Sequence, residues 1–186
     1  MNLPNKLTIL RMIMVPFFVL FMLVPIGGPA NKWIALAIFV VASLTDTLDG
    51  YIARRDHLIT DFGKFMDPLA DKLLVCSALI CFVELGDLPA WMVIVIIARE
   101  FIISGFRLVA SDNGIVIAAS KTGKLKTISQ MVMVVLVIAD LGGIFDVLKQ
   151  IFIWLALILA VVSLIEYIAK EKKVLSMQSE GEGHQW

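Results

Sequence analysis

Cysteine and histidine are nearly absent, with two of each in 186 residues. Cys76 and Cys81 stand in an apolar run with neither CxxC spacing nor a companion His, so they read as packing residues. Charge is also sparse, at 17% of residues. Its 16 basic and 16 acidic side chains cancel, which excludes a simple polyanion binder. No stretch alternates in the manner of a barrel strand, and no internal repeat supports an architecture of inverted halves. The opening MNLPNKLTILRMIMVPFFVLF has no small-residue cleavage site close behind it, so the expectation is a retained first span, with Met1 onward kept in the mature chain. What is abundant is apolar surface. Hydrophobic residues make up 60% of the chain and its mean hydropathy is +0.93, where a soluble domain has about 45–50% apolar residues. The implied solvent is lipid.

Apolar runs of near-spanning length fall at about 12–26, 33–53, 65–83, 88–110, 126–142 and 147–168, against the roughly 20 residues needed to cross a bilayer as a helix. Backbone amides in hydrocarbon must be bonded within their own segment, so the predicted class is all-α, a polytopic membrane protein with six transmembrane helices forming one domain over residues 1–175. Breaks lie at Pro25, Gly27, Gly28 and Pro29, at Gly86, Asp87 and Pro89, and at Gly142 and Gly143. Those three connections hold only Lys32 and Lys149 nearby. The other ends hold Lys6, Arg11, Arg54, Arg55, Lys64, Arg107, Lys121, Lys124, Lys126, Lys170, Lys172 and Lys173. This asymmetry predicts both termini and the basic connections in the cytoplasm. Residues 176–186 read as a disordered polar tail. Trp33, Trp91 and Trp154 read as interfacial aromatics, and His57 and His184 as solvated side chains.

Charges inside spans carry the functional information, because an Asp at a helix centre costs about 2.5 to 3.5 kcal/mol on insertion scales. At 3.6 residues per turn, Asp46, Asp49, Gly50 and Ala53 share a face of the second predicted helix, with Arg54 at its edge. Gly63, Asp67 and Asp71 line one stripe of the third. Across a short turn these faces would gather four hard oxygen donors, for which Mg2+ or Mn2+, as two adjacent ions, is the natural counter-charge. Gly50 and Gly63 leave clearance for a helix or a phosphate. Pro68 either kinks the third helix or begins its regular part.

From Asp46 to Asp71 the residues spell DxxDGxxAR, eight residues, then GxxxDxxxD. This resembles the signature of the CDP-alcohol phosphatidyltransferase family at all eight fixed positions, each with a chance frequency on the order of one in 15. NLPNKLTILR at the start, AREFIISGFRLVAS at 98–111 and ASKTGKLKT within 114–130 look like the branch that forms phosphatidylglycerophosphate. The resemblance implies a six-helix fold, a homodimer, and a bacterial plasma membrane with the active site facing the cytoplasm. It also implies transfer of the phosphatidyl group of CDP-diacylglycerol to sn-glycerol 3-phosphate with release of CMP, ahead of phosphatidylglycerol and cardiolipin. By position, Asp46, Asp49, Asp67 and Asp71 would hold the metal ions. Asp71 would be the base, with Asp67 the other catalytic carboxylate. Asn5, Thr8, Arg11, Asp49, Gly50, Ala53, Arg54 and Gly63 would border CDP-diacylglycerol. Read without the resemblance, Asn5, Thr8 and Arg11 fit a helix cap and interfacial anchors equally well.

An acceptor that carries a phosphate needs a cationic pocket. Arg99, Ser104, Arg107, Lys121 and Lys124 are the candidates. Arg99 and Glu100 read evenly as a self-neutralising pair inside the fourth span or as support behind the site. Two rival readings use the same carboxylates: transfer to another soluble alcohol such as inositol phosphate, and a divalent-cation transporter. The second suffers from placement, since the carboxylates gather at one membrane face and the opposite ends of the spans are apolar.

Overall fold

A computed structural model describes residues 3–55, 61–112 and 120–181. It is all-helical. The order is α1 (Leu3–Leu23), a short 3-10 turn (Gly28–Ala30), α2 (Asn31–Arg55), α3 (Asp61–Glu84), α4 (Ala90–Asp112), α5 (Lys121–Ala139) and α6 (Ile144–Gly181). Among the described residues, four helical stretches are long and apolar enough to cross a bilayer: Asn5–Leu23, Gly28–Thr45, Lys121–Ala139 and Ile144–Ala169. α3 and α4 fall short on composition, carrying Asp71, Lys72 and Glu84 in one and Arg99, Glu100 and Arg107 in the other. α1 begins well before the apolar run that announced it, with Pro4 in its first turn, where a missing N–H costs nothing. Pro68 lies inside α3, so it does not begin that helix. α6 runs on to Gly181, through residues 176–181 at the start of the polar tail. That stretch has no proline, and the first residue that disfavours a helix strongly is Gly181 itself.

Short connections make successive helices antiparallel. α1 packs on α2 and α3, α6 on α4 and α5, and α2 on α5. The core is built from Phe18, Phe39, Leu74, Leu79, Phe82, Ile96, Met133 and Val134, with Phe18 and Phe39 5.9 Å apart between ring centroids. Ala35, Ala42, Ala78, Ala156 and Ala160 are wholly buried beside them. Small residues let helix backbones close up where lipid supplies no hydrophobic drive. Outward faces carry Ile13, Phe17, Ile94, Ile158 and Ile165, all exposed, a surface suited to lipid and not to water. Trp33 and Trp91 stand exposed in the first turns of α2 and α4. Trp154 is exposed on α6 as well.

At the end of the bundle where α2, α4 and α6 begin, the turns close on themselves. Asn31 accepts from the Gly27 N–H at 2.7 Å and donates to the Val24 carbonyl, satisfying groups that α1 and α2 leave open. Gly86 and Gly142 take φ of 80° and 74°, a conformation only glycine adopts cheaply. Asp140 ends α5 in the left-handed region and accepts from Lys149 at 2.8 Å, while Lys32 reaches its carbonyl at 3.5 Å.

The hydrogen bond from Lys149 holds the Asp140 carboxyl below its ordinary pKa. A depressed carboxylate stabilises the fold above its unfolded-state pKa, about 3.9, and loses that contribution as pH falls through the lower folded value. Asp140→Asn, which tolerates the same backbone, should therefore lower the thermal midpoint in detergent at pH 7 by about a degree or two, since the pair is exposed. The two midpoints should converge as the pH approaches about 3. A gap that is constant with pH would remove the ion pair as its cause.

Candidate active site

At the opposite end, the core-facing stripes of the helices turn polar. In α1 the buried series Phe18 and Val15 continues into Arg11, Thr8 and Asn5, spaced three or four residues apart as one helix face requires. Arg11 and Thr8 are fully buried, and their burial does not fit the reading of Asn5, Thr8 and Arg11 as exposed interfacial anchors. α4 carries Ile96 and then Arg99, α6 carries Ala160 and then Ser163, and α5 traced back from Val134 and Met133 reaches Gln130, Ser129 and Lys126. Antiparallel alternation brings these polar segments together.

Glu100 joins them. Its Oε1 accepts from Arg99 Nη1 at 3.0 Å and from Lys126 Nζ, and Arg99 Nε donates to Ser163 Oγ at 3.0 Å. Lys126 is 2% exposed and Arg99 8%, so these charges are withdrawn from solvent and need one another. Of the two readings left open for Arg99 and Glu100, the mutual pair is present, and Lys126 is its third member. A second chain of contacts fixes the start of α5. Ser120 caps it by accepting from the Gly123 N–H at 3.0 Å, its Oγ lies 3.0 Å from Thr122 Oγ1, and Thr122 donates to Glu166 of α6. A Cβ added at Gly123 would sit 3.2 Å from the capping Ser120 Oγ, so the cap favours glycine there.

Beside the Glu100 cluster lies a cavity of about 40 Å³ between α3, α4 and α5. Asp71, Lys72, Val75 and Cys76 line it from α3, Glu100 from α4, and Lys126, Thr127, Gln130 and Met131 from α5. Asp71 is thus half-buried on its wall. Asp46, Asp49, Gly50, Ala53 and Arg54 belong to the last turns of α2, and Gly63 and Asp67 to the first turns of α3; their side chains lie outside the described residues. α2 and α3 pack on each other, so the backbone brings the two halves of the acidic pattern to this end. A donor set made only of carboxylates matches hard divalent ions. Of the acceptor candidates, Arg107, Lys121 and Lys124 are exposed, whereas Arg99 is engaged with Glu100 and Ser163, and Ser104 donates to the Glu100 carbonyl at 2.6 Å. The sequence reading did not single out Lys126, Gln130, Ser163 or Glu166. The available signal was position: each falls at or near the polar extension of its helix's apolar stripe.

Removing the anion from this cluster leaves two cations facing each other in a dry site. Glu100→Gln should destabilise the protein by about 3 kcal/mol, measured by unfolding in micelles, and Glu100→Gln with Lys126→Met should recover part of the loss. A double variant no better than the single one would remove charge imbalance as the cause.

The family model of the CDP-alcohol phosphatidyltransferases matches residues 1–162 of this chain. Among curated relatives, the CDP-diacylglycerol--glycerol-3-phosphate 3-phosphatidyltransferase of Bacillus subtilis is 43% identical, the match covering 94% of this chain and 97% of the relative. The enzyme of the same name from Haemophilus influenzae is 38% identical, with 92% and 94% covered, and that from Rickettsia bellii 36%, with 92% and 96%. The matched region takes in every helix that lines the cavity. This chain is a member of the CDP-alcohol phosphatidyltransferase family.

Proposed function

We propose that this protein transfers the phosphatidyl group of CDP-diacylglycerol to sn-glycerol 3-phosphate, giving phosphatidylglycerophosphate and CMP. One observation carries the acceptor: relatives named for this reaction match the chain nearly end to end at 36–43% identity. The packing of α2 on α3, the two helices that carry the acidic pattern, supports the chemistry.

In the proposed reaction the primary hydroxyl oxygen of the acceptor forms a bond to the phosphorus that bears diacylglycerol. The bond from that phosphorus to the bridging oxygen breaks, CMP departs with the electron pair, and the hydroxyl proton passes to a carboxylate. Asp71, half-buried on the cavity wall, is the assigned base, with Asp67 one turn away as the second catalytic carboxylate. Asp46, Asp49, Asp67 and Asp71 are the residues that would hold Mg2+ or Mn2+. When bound, such ions neutralise pyrophosphate oxygens and ease departure of the nucleotide. Asn5, Thr8, Arg11, Gly50, Ala53, Arg54 and Gly63 are assigned to CDP-diacylglycerol. Arg107, Lys121 and Lys124, exposed near the ends of α4 and α5, are assigned to the acceptor phosphate. Arg99 and Ser104 belong behind that surface, Arg99 holding Glu100 and Ser163 in place. The reading includes six spans, both termini and this polar end at the cytoplasmic face of a bacterial plasma membrane, and a homodimer. The charge asymmetry favours that orientation, since Lys32 and Lys149 at the other end are both drawn onto Asp140.

The direct test is CMP release from CDP-diacylglycerol by detergent-purified protein with Mg2+ or Mn2+, offered glycerol 3-phosphate, inositol phosphate or serine. Release with glycerol 3-phosphate alone is expected. Release with another alcohol would overturn the acceptor assignment, and none with any acceptor, from folded protein, would overturn the reaction. Asp71→Asn should keep the thermal midpoint near that of the parent while lowering turnover by about a thousandfold or more. Activity within about tenfold of the parent would pass the role of base to Asp67.

A further inference from the structure

Gln130 is a buried polar side chain at this end that the reaction scheme leaves unused. It is 3% exposed, and its Nε2 has no hydrogen-bond partner among the described residues. A buried amide donor left unmade is a standing cost, and here it borders a cavity that also touches Asp71. Lys72, Glu100, Lys126 and Thr127 also line it, and Val75, Cys76 and Met131 supply the apolar part of the wall. The volume decides what can enter. A water needs about 10–15 Å³, so a cavity of about 40 Å³ takes two or three small groups. That admits the hydroxyl end of a short alcohol.

Resting on the function proposed above, we infer that this cavity is the hydroxyl subsite of the acceptor. Gln130 donates from Nε2 to the hydroxyl next to the one that reacts. A primary hydroxyl placed to lose its proton to Asp71 on the α3 wall presents its neighbouring hydroxyl to the α5 wall, where Gln130 stands. The phosphate stays outside on the exposed cations. Gln130 lies six residues beyond Lys124 on α5, about 9 Å along the helix axis, with Gln130 facing the core and Lys124 exposed. Gln130 is then a specificity residue, selecting a vicinal diol phosphate over alcohols that lack the second hydroxyl.

The test is a cycle between protein and substrate. Glycerol 3-phosphate and 3-hydroxypropyl phosphate, which differ only in the middle hydroxyl, are compared as acceptors for the parent, Gln130→Leu and Gln130→Met. The parent should prefer glycerol 3-phosphate by about tenfold or more in kcat/KM. In the variants that preference should collapse, because glycerol 3-phosphate loses about tenfold while 3-hydroxypropyl phosphate and the KM for CDP-diacylglycerol change little. If both acceptors fall together, or the preference survives in whichever variant keeps the parent's thermal midpoint, the cavity holds only water and the inference is overturned. If the parent releases no CMP with either acceptor, the functional reading fails first and the inference with it.

Discussion

Two cations withdrawn from water cannot stand side by side unless an anion stands between them, and in this bundle Glu100 is that anion. Arg99 on its own helix and Lys126 on α5 both donate to one carboxylate oxygen, and Arg99 carries the connection onward to Ser163 of α6. Buried ion pairs contribute little net stability once desolvation is counted. Their effect here is on register. Displacing α5 relative to α4 would move Lys126 away from Glu100 and leave a buried cation without its partner, a penalty that an apolar side chain at position 126 would not impose. The cap at Ser120 and the Thr122 contact with Glu166 set the same helix against α6. With α5 tied on two sides, the exposed Lys121 and Lys124 at its start are held at a defined place relative to Asp71.

Much of this was legible in the residues. Hydropathy alone gave the helical class and the approximate place of each helix, because lipid leaves the backbone no other economical way to meet its hydrogen bonds. The turns followed from Gly86, Gly142 and their neighbours. The acidic pattern was legible because Asp at three- and four-residue spacing inside apolar runs has few structural reasons to exist. Helix limits were read less well. Hydropathy marks where apolar character begins, and α1 and α5 both begin earlier, in polar turns containing Asn5 and Thr8 or Lys121 and Thr122.

The buried cluster was hidden for a related reason. Lys126 follows Lys121 and Lys124, and counting charges by loop assigns all three to a basic connection. Counting by helix face separates them, because Lys126 lies on the stripe that continues through Gln130 and Met133 into the core, while its two neighbours face outward. Arg99 and Glu100 were visible as charges within a span, but which partner neutralised them depended on α5 and α6, far along the chain. Ser163 and Glu166 gave only a positional sign, at the polar extension of the apolar stripe of α6, where a serine and a glutamate are ordinary. Pairing between distant helices is a property of the packing and not of any window of sequence.

The two ends of the bundle differ in a way that bears on function apart from any likeness to relatives. At one end the polar atoms close upon each other: Asn31 meets both Gly27 and Val24, and Asp140 gathers Lys32 and Lys149. Such an end holds helices together and asks for nothing further. At the other end, charges are brought inward to the wall of a cavity, and an amide donor there remains unmet among the described residues. Folding to a state with an unmet buried donor is worse than folding to an apolar wall of the same shape. Leucine at position 130 would extend the Met133 stripe at no such cost. A second molecule that completes the hydrogen bond would account for a polar group there, as in the hydroxyl subsite proposed above, at the end where the helices α2 and α3 carry the acidic pattern.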